Sequence, residues 1–465
     1  MKVRIQMIVE TEDGSQSAAE EIAVVERDTL AQETLGMTLA EAKTLLAGVQ
    51  KAMVTQQAQA YVETHRCCAH CKKRQWLKDT REIVVRTLFG KLAINSPRLI
   101  RCLCTPAETA SFSPLSEHLV MRSTPELLYL EAKFSSLISF GATVDLMTTL
   151  LPIEDQLSVS SVHRNVNTIA QWIEDEMGDE KAIFIDGCQR EWNDLPESGG
   201  RMFVSLDGGY VRARSAGRRL DGTMEIITGQ CTKDDGVARR FASVQTYDEK
   251  PKRRVYDVLK AQGLQFNQDV TFLTDGGDTV RQLTEYLNPN AEHVLDWFHV
   301  TMRLTQMGQM AKGLPDGHDV SPTSTAKILE RIKWKIWHGN VSDAIERAEW
   351  LQDDLESYAD DNPAPVPDPV RKLLKAVHEF VTYITLNRQS IPNYGDRYRN
   401  AEPISSAIAE STVNQVISKR MCKKQQMRWT PAGAHRLLQI RVRVLDGELH
   451  NTFKSWYPAM KDVIG

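Results

Sequence analysis

The chain has 465 residues, 42% hydrophobic and 25% charged, the profile of a soluble protein with several cores and not of a disordered, fibrous or disulfide-scaffolded one. Its 57 Lys and Arg stand against 61 Asp and Glu, a net charge of −4, so any polyanion partner must be sought in local clusters. No apolar run reaches the ~20 residues of a membrane span, and the start, Met1 to Gly14, has no signal-peptide apolar block; the expectation is a cytoplasmic protein, neither spanning nor secreted.

Alternation over the first ten residues predicts a strand. Thr38-Leu-Ala-Glu41 reads as a capping box opening a helix through Leu45, Val49 and Met53, and residues 1–64 form a first segment. Residues 65–115 are a basic segment: from Arg66 to Arg101 ten Lys and Arg, among them Lys72, Lys73 and Arg74, face only Asp79 and Glu82. Residues 116–180 read as helices. Phe140–Leu151 is followed by Pro152, a polar stretch, and a second helix with Val162, Val166, Ile169 and Ile173 on one face. One reading is a DNA-binding helix-turn-helix whose outer face offers Ser160, Ser161, His163, Arg164, Asn165 and Asn167 to phosphates and base edges. The other is an ordinary helical hairpin with a polar outside.

Strand-like runs follow at Ile183–Ile185, Phe203–Leu206, Tyr210–Arg214, Met224–Thr228, Val270–Leu273 and His293–Leu295, with a helix near Val255–Leu259. They predict a mixed α/β sheet over residues 181–302. Residues 303–400 read as a helical insertion interrupted by the four prolines between Asp361 and Pro369, a stiff connector. Residues 401–465 complete the chain with further helices.

Five of the eight cysteines lie between Cys67 and Cys104. Cys68-Ala-His-Cys71 is a knuckle whose two-residue spacer lets both sulfurs reach one ion, and Cys102-Leu-Cys104 supplies a second pair, a set suited to structural Zn²⁺. Cys67 and His70 are alternative ligands, and a redox CxxC is the rival reading. Cys188, Cys231 and Cys422 are scattered, as in a reducing compartment.

Two segments share one pattern: Phe203-Val-Ser-Leu-Asp207-Gly-Gly and Phe272-Leu-Thr-Asp275-Gly-Gly. Each sets an acid after an apolar strand and before glycines that admit a close approach. A third acid, Glu410, opens a helix with Val413, Ile417 and Met421 inward. It precedes a run of cations that includes Lys419, Arg420, Lys423, Lys424, Arg428, Arg436, Arg441 and Arg443, with no further acid before Asp446. Three carboxylates can hold two Mg²⁺ for phosphodiester chemistry while such cations grip a nucleic-acid backbone. Taken singly, Asp-Gly is a turn and Glu410 a helix-start charge; Asp186 and Asp278 are competing acids.

These residues resemble insertion-sequence DDE transposases of the ISKra-four family, related to the Mutator-like transposases. The resemblance spans nearly the whole chain. It is carried by the basic cysteine-pair segment with Arg86-Thr-Leu-Phe-Gly90 and Ser96-Pro-Arg98, by Val204-Ser-Leu-Asp207-Gly-Gly-Tyr210, Leu273-Thr-Asp275-Gly and Asp296-Trp-Phe-His299, and by Glu410 through Met427-Arg-Trp429. It implies an α/β multidomain protein: an RNase H-like mixed sheet with a helical insertion, preceded by a zinc-ribbon-like domain and a helical, helix-turn-helix-like domain. Asp207, Asp275 and Glu410 would be the catalytic triad on Mg²⁺ or Mn²⁺, with Asp296 and His299 accessory or, for Asp296, a backbone-bonding structural acid. The Cys102–Cys104 pair departs from the more usual CxxC. The implied activity is metal-dependent cleavage at terminal inverted repeats followed by strand transfer into target DNA. The implied partners are double-stranded DNA and further copies of the chain, in the prokaryotic cytoplasm at the nucleoid. Lys72, Lys73, Arg74, His163, Arg164, Lys419, Arg420, Lys423, Lys424 and Arg428 would contact DNA, and Trp429 would stack on an unpaired base or belong to the core. An RNase H-like nuclease without strand transfer and a non-catalytic DNA-binding regulator are the alternatives.

Overall fold

The computed structural model describes residues 1–10, 14, 16, 18–104, 109–153, 157–214, 222–233, 236–277, 287–288, 290–315, 320–361, 366–405, 411–422 and 427–461. The chain divides into two compact units, Met1–Ala170 with Gly447–Gly465, and Gln171–Asp446. No described helix is long and apolar enough to cross a membrane.

In the first unit, β1 (Lys2–Met7) pairs antiparallel with β2 (Glu20–Glu26). Helix α1 (Leu39–Thr64) opens at the capping box: Thr38 Oγ1 accepts the Glu41 N–H at 3.3 Å, and Glu41 Oε2 accepts the Thr38 N–H at 2.9 Å. Two helix-start donors are thereby satisfied. The buried side of α1 is Ala52 and Ala58, whereas Met53 is 48% exposed. Strands β3 (Leu77–Thr87) and β4 (Gly90–Ile100) form a long hairpin, extended by β5 (Ser111–Phe112). Alternation along the hairpin turns Val85, Leu92 and Ile94 onto Ala58 and onto Leu115 of α2 (Pro114–His118). Helices α3 (Pro125–Leu137), α4 (Phe140–Leu150) and α5 (Val159–Glu176) follow. The helix Leu449–Trp456 returns to this unit, and its Phe453 meets Tyr129 of α3 edge-on at 5.6 Å. Val162, Val166, Ile169 and Ile173 are all buried on α5 while His163 and Arg164 are exposed, as the 3.6-residue period requires.

The second unit begins within α5 and continues through α6 (Gln189–Asn193) to a five-stranded sheet. Strands β6 (Met202–Ala213), β7 (Gly222–Lys233) and β8 (Ala238–Val244) form an antiparallel meander. After α7 (Pro251–Ala261), β9 (Val270–Thr274) lies parallel to β6, and β10 (Ala291–Leu295) lies parallel to β9. The order across the sheet is β10-β9-β6-β7-β8. Met202, Val204, Leu206, Ile227, Val270 and Phe272 pack with Val255 and Leu259 of α7 into one core.

Three details differ from the sequence expectation. Ile183–Ile185 is not a strand; Phe184 is a buried plug stacked on Tyr256 at 4.7 Å. The runs Phe203–Leu206 and Tyr210–Arg214 are one continuous strand, so Asp207-Gly-Gly lies within β6 and is no turn. Strand β8 escaped notice because Arg239 and Arg240 mask its apolar pattern; Arg240 is turned to Asp446 at 2.6 Å.

The helical block comprises α8 (Trp297–Ala311), α9 (Pro322–Trp337), α10 (Val341–Asp361), α11 (Asp368–Leu386) and α12 (Tyr394–Arg399). Its core is continuous with Leu273 of β9 and with Val294 and Leu295 of β10. A π-helix, Asn414–Cys422, and α13 (Pro431–Leu445) complete the unit. The chain is thus a mixed α/β protein.

Candidate active site and cysteine cluster

The parallel register brings three aspartates to one level of the sheet. Ser205 of β6 is opposite Leu273 of β9, so two residues further along Asp207 comes level with Asp275. Leu295 of β10 is opposite Thr274, and the next residue, Asp296, comes level with Asp275 in turn. The Asp296 N–H donates to Thr274 O at 2.8 Å, fixing that register. His299 stands one turn into α8 with Nε2 3.7 Å from Asp296 Oδ2.

The surroundings of these acids show why they stay at this level. Gly276 has φ +82, and a Cβ there would lie 2.8 Å from Asn387 Oδ1 and 2.7 Å from Leu295 Cδ1, so only glycine lets the chain leave β9 at this point. Thr274 Oγ1 accepts the Gly276 N–H at 3.1 Å and is 2.6 Å from His293 Nε2, while His293 Nδ1 is 2.8 Å from Ser390 Oγ. Tyr383 Oη donates to Asp275 O at 3.0 Å, and the Arg303 guanidinium lies 4.2 Å over the Tyr383 ring. Sequence reasoning missed Thr274, His293, Arg303, Tyr383 and Ser390. The one local signal was the four-residue step from His299 to Arg303, which puts both on one face of α8.

Electrostatically the group is unsettled. Burial pushes the Asp207 carboxyl above the usual range; His299 and a 2.7 Å hydrogen bond from the Gly208 N–H pull it down, and Asp275 and Asp296 push it up again. A desolvated acid repelled by two neighbours is a place where a cation is favoured. Asp296 is the most constrained of the three: it is fully buried, and its Oδ1 caps α8 by accepting the Phe298 N–H at 2.8 Å. The structural role expected of it is therefore present, alongside its contact with His299. Among the described residues no three acid or histidine ligand atoms at this site lie within 4.8 Å of one another.

Glu410 lies outside the described residues, as do Asp278, Lys423 and Lys424. The segment that follows Glu410 is described. Gly209, two residues beyond Asp207 and so on the same face of β6, meets this segment: a Cβ on Gly209 would lie 2.6 Å from Ile417 Cδ1 and 3.3 Å from Val413 Cγ1. Thr412 Oγ1 bonds Gln230 Oε1 of β7 at 3.1 Å. Asp186, a competing acid, is exposed in a non-strand segment, where its carbonyl accepts the Trp192 indole N–H at 2.8 Å.

Two expected DNA contacts are corrected. Arg420 is fully buried with its guanidinium 5.2 Å over the Trp429 ring, and burial together with Arg441 pulls it down to about 10. Trp429 is also buried and bridges to β6, donating its N–H to Arg212 O at 3.0 Å and accepting from Arg214 at 2.8 Å. Both residues build the unit's interior. Arg441 likewise turns inward, onto Val416 O at 2.7 Å. Lys419 and Arg428 are exposed, as are Lys72, Lys73, Arg74, His163 and Arg164 of the first unit.

In the first unit Cys68, Cys71, Cys102 and Cys104 converge, with all four sulfurs within 4.8 Å of one another. Cys68 and Cys104 are 3.3 Å apart, Cys71 and Cys102 3.4 Å, and Cys102 and Cys104 3.2 Å. Four 2.3 Å bonds to a tetrahedral Zn²⁺ put sulfurs ~3.8 Å apart, so the cluster could hold a structural metal such as zinc. Lys72 takes φ +58 to close the knuckle, with its N–H on Cys68 O at 2.9 Å and the Cys68 N–H on Lys73 O at 2.9 Å. The Cys104 backbone N–H, then the Cys104 and Cys71 thiols, hold Cys102 below the usual thiol range, toward the thiolate a metal binds. Cys67 and His70, the spare ligands, are outside this group. No protein-family model matches the chain, and no curated protein matches it.

Proposed function

We propose that the chain is a DNA transposase of the DDE type, built on an RNase H-like sheet. The observation that carries this reading is the row of Asp207, Asp275 and Asp296 across three neighbouring parallel strands of a sheet ordered β10-β9-β6-β7-β8. The packing of residues 411–422 over Gly209 supports Glu410 as the third carboxylate, because it anchors the segment that follows Glu410 on the face of β6 that carries Asp207.

Carboxylate oxygens suit hard divalent cations, and Asp207, Asp275 and Glu410 would hold Mg²⁺ or Mn²⁺. Bound there, the ions would activate the attacking oxygen and stabilise the leaving one. The chain's own residues orient the acids: Tyr383 holds the Asp275 backbone, the Gly208 N–H holds the Asp207 carboxylate, and His299 faces both Asp207 and Asp296. Lys419 and Arg428 would bind backbone phosphate. The cysteine cluster and α5, with His163 and Arg164, would engage terminal inverted repeats.

The test is a cleavage and joining assay on DNA carrying the sequences that flank the reading frame. Asp207→Asn, Asp275→Asn and Glu410→Gln should each abolish cleavage and the joining of pre-cut ends while leaving end binding intact. Cleavage without joining by the unaltered protein would instead make it a nuclease. End binding with no cleavage, indifferent to Glu410→Gln, would make it a regulator.

A further inference from the structure

The end of the β3–β4 hairpin that carries the cysteine cluster presents four large apolar side chains to solvent. Trp76 is 81% exposed, Leu77 50%, Ile100 46% and Leu103 102%. Trp76 and Ile100 are paired, the Ile100 N–H donating to Trp76 O at 2.9 Å, and Leu103 follows three residues later between Cys102 and Cys104; Leu77, opposite the buried Leu99, faces the other side of the hairpin. Further along the same hairpin, Val85, Leu92 and Ile94 are buried, so the exposure belongs to this tip alone. An exposed apolar cluster marks a contact surface.

Its surroundings identify the partner. Lys72, Lys73 and Lys78 are exposed near the tip, Arg74 is exposed but paired with Glu63 at 2.7 Å, and the nearest acid in sequence to Lys78, Asp79, is engaged by Arg98 at 3.1 Å. An indole and a leucine ringed by cations match duplex DNA, which offers flat apolar faces wherever a base step opens and phosphates on either side. The cluster also makes the tip stiff, since Leu103 sits between two of the four converging cysteines and Trp76 is tied into the ladder.

We infer that this tip is a wedge: Trp76 and Leu103 enter and unstack a base step of duplex DNA while Lys72 and Lys73 hold the flanking phosphates. The inference rests on the reading of the chain as a DNA-binding protein, and adds to it a distortion of the duplex made by the first unit.

The test uses the full chain and a closed-circular plasmid. The plasmid is relaxed by a topoisomerase with the protein bound, then stripped of protein, and its linking number is read on a gel. Opening a base step unwinds the duplex, so the unaltered protein should shift the linking number in proportion to the amount bound. The double variant Trp76→Ala, Leu103→Ala should bind about fivefold to a hundredfold more weakly, the range of one lost base stack. At saturation it should leave the linking number unshifted, with its salt dependence and zinc content unchanged. Trp76→Phe alone should keep the shift. Lys72→Ala with Lys73→Ala should do the reverse, flattening the salt dependence by roughly 1.8 in slope for two lost phosphate contacts but keeping the shift at saturation. A saturated plasmid with no shift, or a double variant that shifts it as the unaltered protein does, overturns the wedge and leaves DNA binding standing. Failure of the unaltered protein to bind the plasmid at all overturns the DNA-binding reading itself.

Discussion

Glu131 is the residue whose chemistry is most at odds with its place. It lies in α3, almost wholly buried, with Asn165 Nδ2 donating to its Oε2 at 2.8 Å. Burial pushes its carboxyl up from the usual 4.5 to about 7, against the smaller opposing pulls of Asn165 and Arg86. A carboxyl raised on folding binds its proton more tightly in the native state. Its contribution is therefore fully present below pH ~4.5, declines as pH rises toward about 7, and is absent above. The difference corresponds to about 3 kcal/mol. Glu131→Gln, which keeps an acceptor for Asn165, should be about 3 kcal/mol more stable than the unaltered protein at pH 8 and nearly equal to it at pH 4.5, measured by urea denaturation. Equal stability at both values would mean that Glu131 is not ionised at a cost. Glu174 runs the other way. Bonds from His435 and Arg254 outweigh its burial and hold it at about 2, so its contribution is present above pH ~4.5 and disappears only as pH falls through about 2. Arg254 is the hub of that group, bonding Asp248 at 2.9 Å, Glu174 at 3.1 Å and Gln439 at 2.6 Å in the interior of the second unit. Truncating it would leave two buried carboxylates without their cation, the costly way to break such a group.

At the scale of elements, the proposed function makes the contact between β6 and residues 411–422 the one that would bring Glu410 toward Asp207. Two adjacent glycines of β6 divide the work because successive positions face opposite sides of a strand. On one side Gly209 admits Ile417 and Val413; on the other a Cβ at Gly208 would meet Glu225 Oε1 at 2.8 Å. Glu225 thus lies on the face away from Asp207. Gly209→Val should push the helical segment off the sheet, costing roughly 1–3 kcal/mol as overpacking does and reducing cleavage far more than that loss of stability explains. Gly208→Ala meets only the movable end of a glutamate and should cost little in either measure. Matched losses of cleavage in the two variants would show that the position of the segment is immaterial to the acids. The π-helical winding of Asn414–Cys422 belongs to this contact: Val416, Ile417, Arg420 and Met421 are all buried by it. Ile417 and Met421 were readable as inward from their four-residue step; Arg420, three residues after Ile417, is buried with them, where its charge alone would have placed it outside.

For the molecule as a whole, what could be read in the sequence divides along the same physical line. The convergence of thiols was legible, since four cysteines in two close pairs have few uses; the Asp-Gly-Gly pattern was legible as the end of a strand at Asp275 but not at Asp207, which lies inside β6. Strand identity was legible where apolar runs were pure, as at Val270–Leu273, and illegible at β8, where Arg239 and Arg240 interrupt the pattern. The direction in which a cation points was illegible, because charge gives composition but not burial; Arg420 and Arg441 sit among surface-like lysines and arginines yet face inward. Contacts over long separations were illegible too: Tyr383 reaches Asp275 only because the helical block folds back on β9 and β10. The same division yields a prediction for the intact protein. The cysteine cluster belongs to the first unit, whose cores gather about Val85, Leu92 and Ile94 and about Leu127, Met147 and Ile153. The aspartate row belongs to the second unit, which has cores of its own. Calorimetry should therefore resolve two transitions. Cys71→Ser should empty the cluster, seen as loss of zinc by mass spectrometry, and lower one transition by about 10 °C or more, since the loss of several kcal/mol moves a unit of this size by ~2–4 °C for each. The other transition should stay in place and keep its response to Mn²⁺, which Asp207→Asn should remove. Should both transitions fall together on Cys71→Ser, or zinc persist, the cluster is not the separate staple that its four converging sulfurs indicate.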